Sequence, residues 1–286
     1  MFKSKKEKLP PEPEYFLSAT NQMLLNYKVY NFSQKEKIGY FSLAFVVGAL
    51  VAYLFYGGIG KDAYGDSTVV TYVCNVVIMC LVGFFAGKLF LPIRKEQIIR
   101  KRSKLLHSQF IDLLDSLSAS LASGQNVPSA FISAKNDLLV QHAEDSYIII
   151  EVNEIIEGFN NNIAIEDMLV DFGNRSGIVD ISNFGRVFET AYRKGGNIKD
   201  IVRNTHEILS TKTLMELEID TKVASGKNEQ NIMLLMPLII VFMIKRMGGD
   251  FASNFTTPTG LIFTTIGVSL FVVSYFLGKK ILSIEV

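Results

Sequence analysis

The sequence predicts an all-α fold, a polytopic membrane protein with four transmembrane helices and a six-helix cytosolic bundle inserted between the second and the third. Three observations predict it. Residues 38–60 and 67–87 carry no charge over 23 and 21 positions, and each run crosses roughly 30 Å of hydrocarbon at about 1.5 Å per helical residue. Past them charges return, and apolar residues recur every three or four positions, as in helices with one buried face. Overall, 49% of residues are hydrophobic and 20% charged, more apolar than an ordinary soluble chain.

The chain begins with a lysine-rich stretch, 1–14, that contains Pro10, Pro11 and Pro13 and has too little apolar surface to order itself. Tyr15 to Phe32 mixes aromatic and aliphatic side chains. That mixture fits a helix lying in the headgroup region and a poorly packed linker equally well. The run from Ile38 is too long for a signal-peptide core and lacks a small-residue cleavage site, so it is expected to stay in the mature protein. The connection to the second run holds Lys61, Asp62 and Asp66, whereas Arg94, Lys95, Arg100, Lys101, Arg102 and Lys104 follow that run at once. By the positive-inside rule both ends of this first hairpin face the cytoplasm.

Leu106, Phe110, Leu113, Leu117 and Leu121 stripe the first bundle helix, which can continue out of the second span and ends at Ser123-Gly124. Pro128 opens a second helix striped by Phe131, Ala134 and Leu138, at a position where its missing N–H is harmless. A third covers about 146–159 and closes at Asn160-Asn161-Asn162; a short fourth carries Ile165, Met168, Leu169 and Phe172. The fifth, with Ile181, Phe184, Phe188 and Ala191, stops at Gly195-Gly196, and Asn197 with Asp200 three residues on caps a long sixth. Ile198, Ile201, Ile208, Met215, Ile219 and Val223 keep helical phase towards residue 230, so this helix is expected to run on into the bilayer.

Residues 231–244 are uncharged over only 14 positions, about 21 Å of helix and short of a full crossing. Lys227 on one side and Lys245 or Arg246 on the other can snorkel to the interfaces. Pro237 lies inside this third span as a packing or kink position, like glycines 48, 83 and 87 in the first two. Residues 251–278 are again uncharged, and Lys279 and Lys280 suit a cytosolic C-terminus. Four crossings then put every basic cluster in the cytosol except Lys245 and Arg246. The expected organisation is a cytosolic tail over 1–37 with room for an interfacial helix, a first transmembrane hairpin over 38–91, the helical bundle over 92–230, and a second hairpin with a short tail over 231–286.

The net charge of +1 offers no concentrated positive surface, which excludes nucleic acid as the expected partner. Ser225-Gly226-Lys227 has Thr221 where a phosphate loop needs its leading glycine and Asn228 where it needs Ser or Thr. His107, His142 and His206 are scattered, and Cys74 and Cys80 sit in an apolar run without metal-binding spacing. No nucleophile has a histidine near it in a recognisable pattern, so no catalytic residue, metal or cofactor is expected. Glu151, Glu154 and Glu157 share one side of the third helix near Glu144 and Asp145. A solvated face, a docking face for a basic partner and a cation or acid/base site all fit, although the last lacks a cage of ligands. Residues 94–104 hold six basic side chains and one acid, and 105–231 hold ten basic and nineteen acidic. A basic collar therefore faces anionic lipid headgroups while an acidic body projects away from them.

Several local patterns, in order along residues 40 to 280, resemble the type II secretion system F domain family, and within it the TadB-type platform proteins of Flp (Tad) pilus assembly. They are Phe110-Ile111-Asp112-Leu113-Leu114-Asp115-Ser116-Leu117, Leu121-Ala122-Ser123-Gly124 with Ala130-Phe131, the Gly195-Gly196-Asn197 break, Met236-Pro237, and Phe255-Thr256-Thr257-Pro258-Thr259-Gly260. The resemblance implies a non-enzymatic scaffold in the cytoplasmic (inner) membrane that couples a hexameric secretion ATPase to prepilin extraction and filament growth. It also implies a paralogous, TadC-like platform partner or self-association, since no second copy of the helical domain is visible. Lys245 and Arg246 and the long polar N-terminal tail depart from the family pattern. A membrane-tethered receptor or adaptor that binds a cytosolic signalling partner is the alternative from a different class.

Overall fold

In the computed structural model of the protein, residues 13–18, 20–60, 67–247, 254–255 and 257–282 are described. The expected disordered stretch before Pro13, the loop with Lys61, Asp62 and Asp66, and the last four residues lie outside them. Among the described residues there are eight helices and one two-stranded sheet. The strands are β1 (Tyr15–Leu17) and β2 (Met23–Leu25). The helices are α1 (Gln34–Tyr56), α2 (Val69–Ala122), α3 (Val127–Gln141), α4 (Tyr147–Asn160), α5 (Ile165–Ser176), α6 (Val179–Lys194), α7 (Ile198–Met247) and α8 (Pro258–Leu282).

The chain divides into two compact units. One takes the described residues up to Asn31 together with Lys95–Leu214; the other takes Phe32–Arg94 and the described residues from Met215 on. Both α2 and α7 pass from one unit to the other inside a single helix.

In the helical unit the predicted stripes meet in one core. Leu106, Phe110, Leu113, Leu114 and Leu117 of α2 are buried with Phe131 and Leu138 of α3, Ile148 and Val152 of α4, Leu169 and Phe172 of α5, Phe184 and Phe188 of α6, and Val202 of α7. Phe110 sits edge-on to Phe184 at 5.4 Å and to Phe172 at 6.2 Å between ring centres, the offset geometry that aromatic rings prefer. The helix ends follow local chemistry. Asn126 Oδ1 accepts from the Ser129 N–H at 2.9 Å beneath Pro128, and Asn197 Oδ1 accepts from the Asp200 N–H at 3.3 Å. Gly195 closes α6 at φ 69°, a conformation only glycine adopts without cost, and the next N–H, on Gly196, reaches Ala191 O at 2.8 Å.

The segment read as an interfacial helix or a linker is neither. Tyr15↔Leu25, Phe16↔Leu24 and Leu17↔Met23 pair in an antiparallel hairpin, turned at Ser18–Gln22 with Asn21 at φ 64°. Phe16 and Leu24 alternate with their neighbours and point to the packed side, Leu24 being buried. Two-residue alternation over three positions is too short to outweigh the aromatic content that suggested a helix.

In the other unit four helices are long and apolar enough to cross a membrane, the make-up of a multi-pass membrane protein, and the one ending α7 is the least hydropathic of them. α1 starts four residues before Ile38, because Glu36 accepts a 2.9 Å hydrogen bond from the Ser33 N–H and so begins the helix in a charged turn. Gly48 and Gly83 mark where α1 and α2 meet. A Cβ at Gly48 would lie 2.7 Å from Ala86 Cβ, and one at Gly83 would lie 2.9 Å from Phe45, so these two backbones approach as small-residue membrane interfaces do.

Candidate functional site

The basic collar divides between the two units at Arg94 and Lys95. Arg94 stacks over the Tyr40 ring at 5.2 Å, and Arg102 over the Tyr30 ring at 5.3 Å while donating to Val29 O at 3.3 Å. Arg100 pairs with Glu96 at 2.9 Å in full exposure, and Lys101 and Lys104 are exposed. The half-buried Arg94 and Arg102 hold local structure, and the exposed three carry the collar's outward charge. Lys95 is half-buried.

The acidic side of α4 is not an open face. Glu144, Asp145 and Glu157 are exposed, but Glu151 and Glu154 are only 1% and 2% exposed. The hairpin and α5 cover them. Glu151 receives a two-pronged hydrogen bond from Arg175, Nη1 to Oε1 at 2.8 Å and Nη2 to Oε2 at 2.6 Å, and a third from the Tyr27 hydroxyl at 2.8 Å. Arg175 Nε also reaches Asp171 at 2.6 Å. Thr20 donates to Glu154, and Gln22 Nε2 donates to Glu157. An i, i+3 spacing shows that three carboxylates share a side but not what packs on that side, which is why the open-face expectation fails for these two.

This cluster is a structural tie. Burial first, and then the Glu151 carboxylate, push the Tyr27 hydroxyl well above the ordinary tyrosine range, so it stays a proton donor. For Arg175, burial disfavours the charge, yet the hydrogen-bonded carboxylates of Glu151 and Asp171 outweigh it and hold the guanidinium above its usual value. Three donors occupy three of the four lone-pair sites of the Glu151 carboxylate, in a residue only 1% exposed, and so tie α4 to α5 and to the segment after the hairpin. Neither Tyr27 nor Arg175 was legible as a partner. The one sequence hint is that Arg175 is the only arginine or lysine between Lys135 and Arg186.

All three histidines pair with aspartates on other helices. His107 meets Asp180 at 3.0 Å, where Lys212 also arrives at 3.1 Å; His142 meets Asp112 at 3.0 Å and His206 meets Asp115 at 3.8 Å. Among the described residues no group of three or more His, Cys, Asp or Glu side chains converges to hold a metal.

Gly124 has φ 91°, and it and Gly195-Gly196 end α2 and α6, as their helix-break role requires. Pro237 lies within α7, which continues through it, and the missing N–H leaves the carbonyl four residues back without its helical partner. It lines an apolar cavity of about 540 Å³ with Val51, Phe55, Leu234, Leu238 and Phe271. Lys245, the awkward cation of the third span, has a purpose that the sequence hid. Its Nζ donates to Phe55 O at 3.3 Å in the last turn of α1 and to Gly57 O at 3.0 Å just past it, and lies 5.8 Å over the Phe255 ring. A cation at a helix C-terminus meets the unpaired carbonyls and the negative end of the dipole.

No protein-family model, no curated protein and no solved structure matches this chain.

Proposed function

We propose that the chain is a non-enzymatic platform protein of the cytoplasmic membrane, of the TadB-like kind within the type II secretion F domain family. In an Flp (Tad) or type IV pilus, or a related secretion machine, it couples a hexameric secretion ATPase to prepilin extraction and assembly. Its termini and helical unit are cytosolic, its collar rests against anionic headgroups, and a TadC-like paralogue or a second copy completes the platform. The motif order described above is what points to the family. The observation that carries the coupling role is that α2 and α7 each run from an apolar, membrane-compatible segment into the helical unit as one helix, of 54 and 50 residues. A push on the helical unit is then transmitted with no flexible linker in between.

Inserting a Gly-Ser linker after Arg94 and another after Lys227 is expected to abolish piliation while leaving membrane insertion intact. Normal pili in cells carrying that variant overturn the coupling role. Affinity purification of the intact protein from membranes is expected to bring down the ATPase and prepilin; a kinase or response regulator in their place would establish the adaptor reading instead.

A further inference from the structure

Among the described residues, α5 meets one end of the β2 edge of the hairpin and nothing pairs with its β1 edge. The Asn26 N–H donates to Glu14 O and the Ser18 N–H to Gln22 O, both at 2.8 Å. With the register Phe16↔Leu24, these bonds set the alternation: backbone groups of Phe16 and Leu24 face each other, and those of Tyr15, Leu17, Met23 and Leu25 face outwards. On the β2 side α5 covers only one end: Leu25 O accepts from Arg175 Nη1 at 3.5 Å and, just past the strand, the Tyr27 N–H donates to Arg175 O at 3.1 Å. On the β1 side the N–H and C=O groups of Tyr15 and Leu17 make no hydrogen bond among the described residues. The side chains on the outer face are apolar and bare: Tyr15, Leu17 and Met23 are 53%, 65% and 69% exposed. Such an edge is a template for another strand.

We propose that β1 pairs antiparallel with β1 of a second copy of this chain, about a two-fold axis at Phe16, so that two hairpins join into one four-stranded sheet. Tyr15 then opposes the partner's Leu17, and four hydrogen bonds satisfy every open group on both edges. The strand is self-complementary in charge, because Glu14 falls opposite the partner's Ser18 and the two carboxylates never face each other. Its ends select this register. A slip by two towards the N-terminus puts Leu17 opposite the partner's Pro13, which has no N–H to give. A slip the other way runs into the turn at Ser18–Gln22. Pairing also merges the two apolar outer faces into one continuous patch.

Three-residue strands bury less than the roughly 1,000 Å² of a stable interface, so the pairing relies on the high local concentration of neighbours held in one membrane. The inference does not depend on the pilus reading, and its test needs no pili. In a full-length Cys74→Ser, Cys80→Ser background, one tagged copy carries Tyr15→Cys and a differently tagged copy Leu17→Cys, co-expressed in native membranes. Both positions are exposed, so the core is untouched. Opposed residues lie about 5.5 Å apart, within disulfide reach, whereas like residues are two positions out of register and beyond about 7 Å. Oxidation is therefore expected to cross-link the mixed pair about tenfold more than either variant alone. No cross-link, or equal yields in all three cases, overturns the proposal. So does a mixed cross-link that forms only after residues 1–12 are removed, because the chain's own leading segment would then be the occupant of the edge.

Discussion

In the helical unit the fully buried side chains are large, among them Phe110, Phe131, Phe172 and Phe188, and the interior also holds the Glu151–Arg175 ion pair. In the membrane-compatible unit the buried residues of α1 are Ala44, Gly48, Ala49 and Ala52, while Leu43, Val46, Val47 and Leu50 face outwards. The difference teaches that one chain uses two packing rules for two solvents. Water drives large apolar groups inside and tolerates a buried charge only when it is paired. Hydrocarbon gives large apolar groups no reason to hide, so close backbone approach over small residues holds the helices together.

The largest expected effect tests the first rule. Arg175→Leu leaves Glu151 buried and unpaired, and is expected to cost about 3–5 kcal/mol, seen as a lower melting temperature of the purified full-length protein. Adding Glu151→Leu should recover most of that loss, because the desolvated charge disappears. A single variant as stable as the parent would show that the ion pair does not hold the hairpin side of the unit.

The second test sets the rules against each other. Gly83→Leu must place carbon where Phe45 already sits and is expected to destabilise by about 1–3 kcal/mol in detergent. Leu50→Ala, on the outward face of α1, should stay within about 0.5 kcal/mol. Equal effects would mean that α1 and α2 do not rely on small-residue contact.

The smallest effect concerns Lys245, one of the two cations that depart from the positive-inside pattern. Lys245→Met keeps the aliphatic stem but removes the donor to Phe55 O and Gly57 O, with an expected loss of about 1 kcal/mol. A melting curve identical to the parent's would return Lys245 to the role of a merely snorkelling side chain.

Much of the fold was legible because its signals are local. The stripe of Phe110, Leu113 and Leu117, the cap at Asn197 and the stop at Gly195 each act within one or two turns of helix and lie where they were expected, and the uncharged runs fall in helices, although α1 covers Gln34–Tyr56 where 38–60 was expected. The hairpin was missed because three alternating residues per strand make no period that stands out. The candidate acidic face was half misread because Glu151 meets Arg175, 24 residues away, and Tyr27, 124 residues away, and spacing along α4 carries no trace of either.

The sequence by itself therefore determined which segments are helices, where they stop and which four are apolar enough to cross a membrane, since propensity, capping and hydropathy are properties of neighbouring residues. Only the tertiary structure decided which charges are solvated and which are tied. It turned Glu151 and Glu154 inwards, gave Lys245 the end of α1, and left the edge of β1 without a backbone partner among the described residues. Burial and hydrogen bonding depend on what arrives from distant parts of the chain, and a residue's own neighbourhood does not record it.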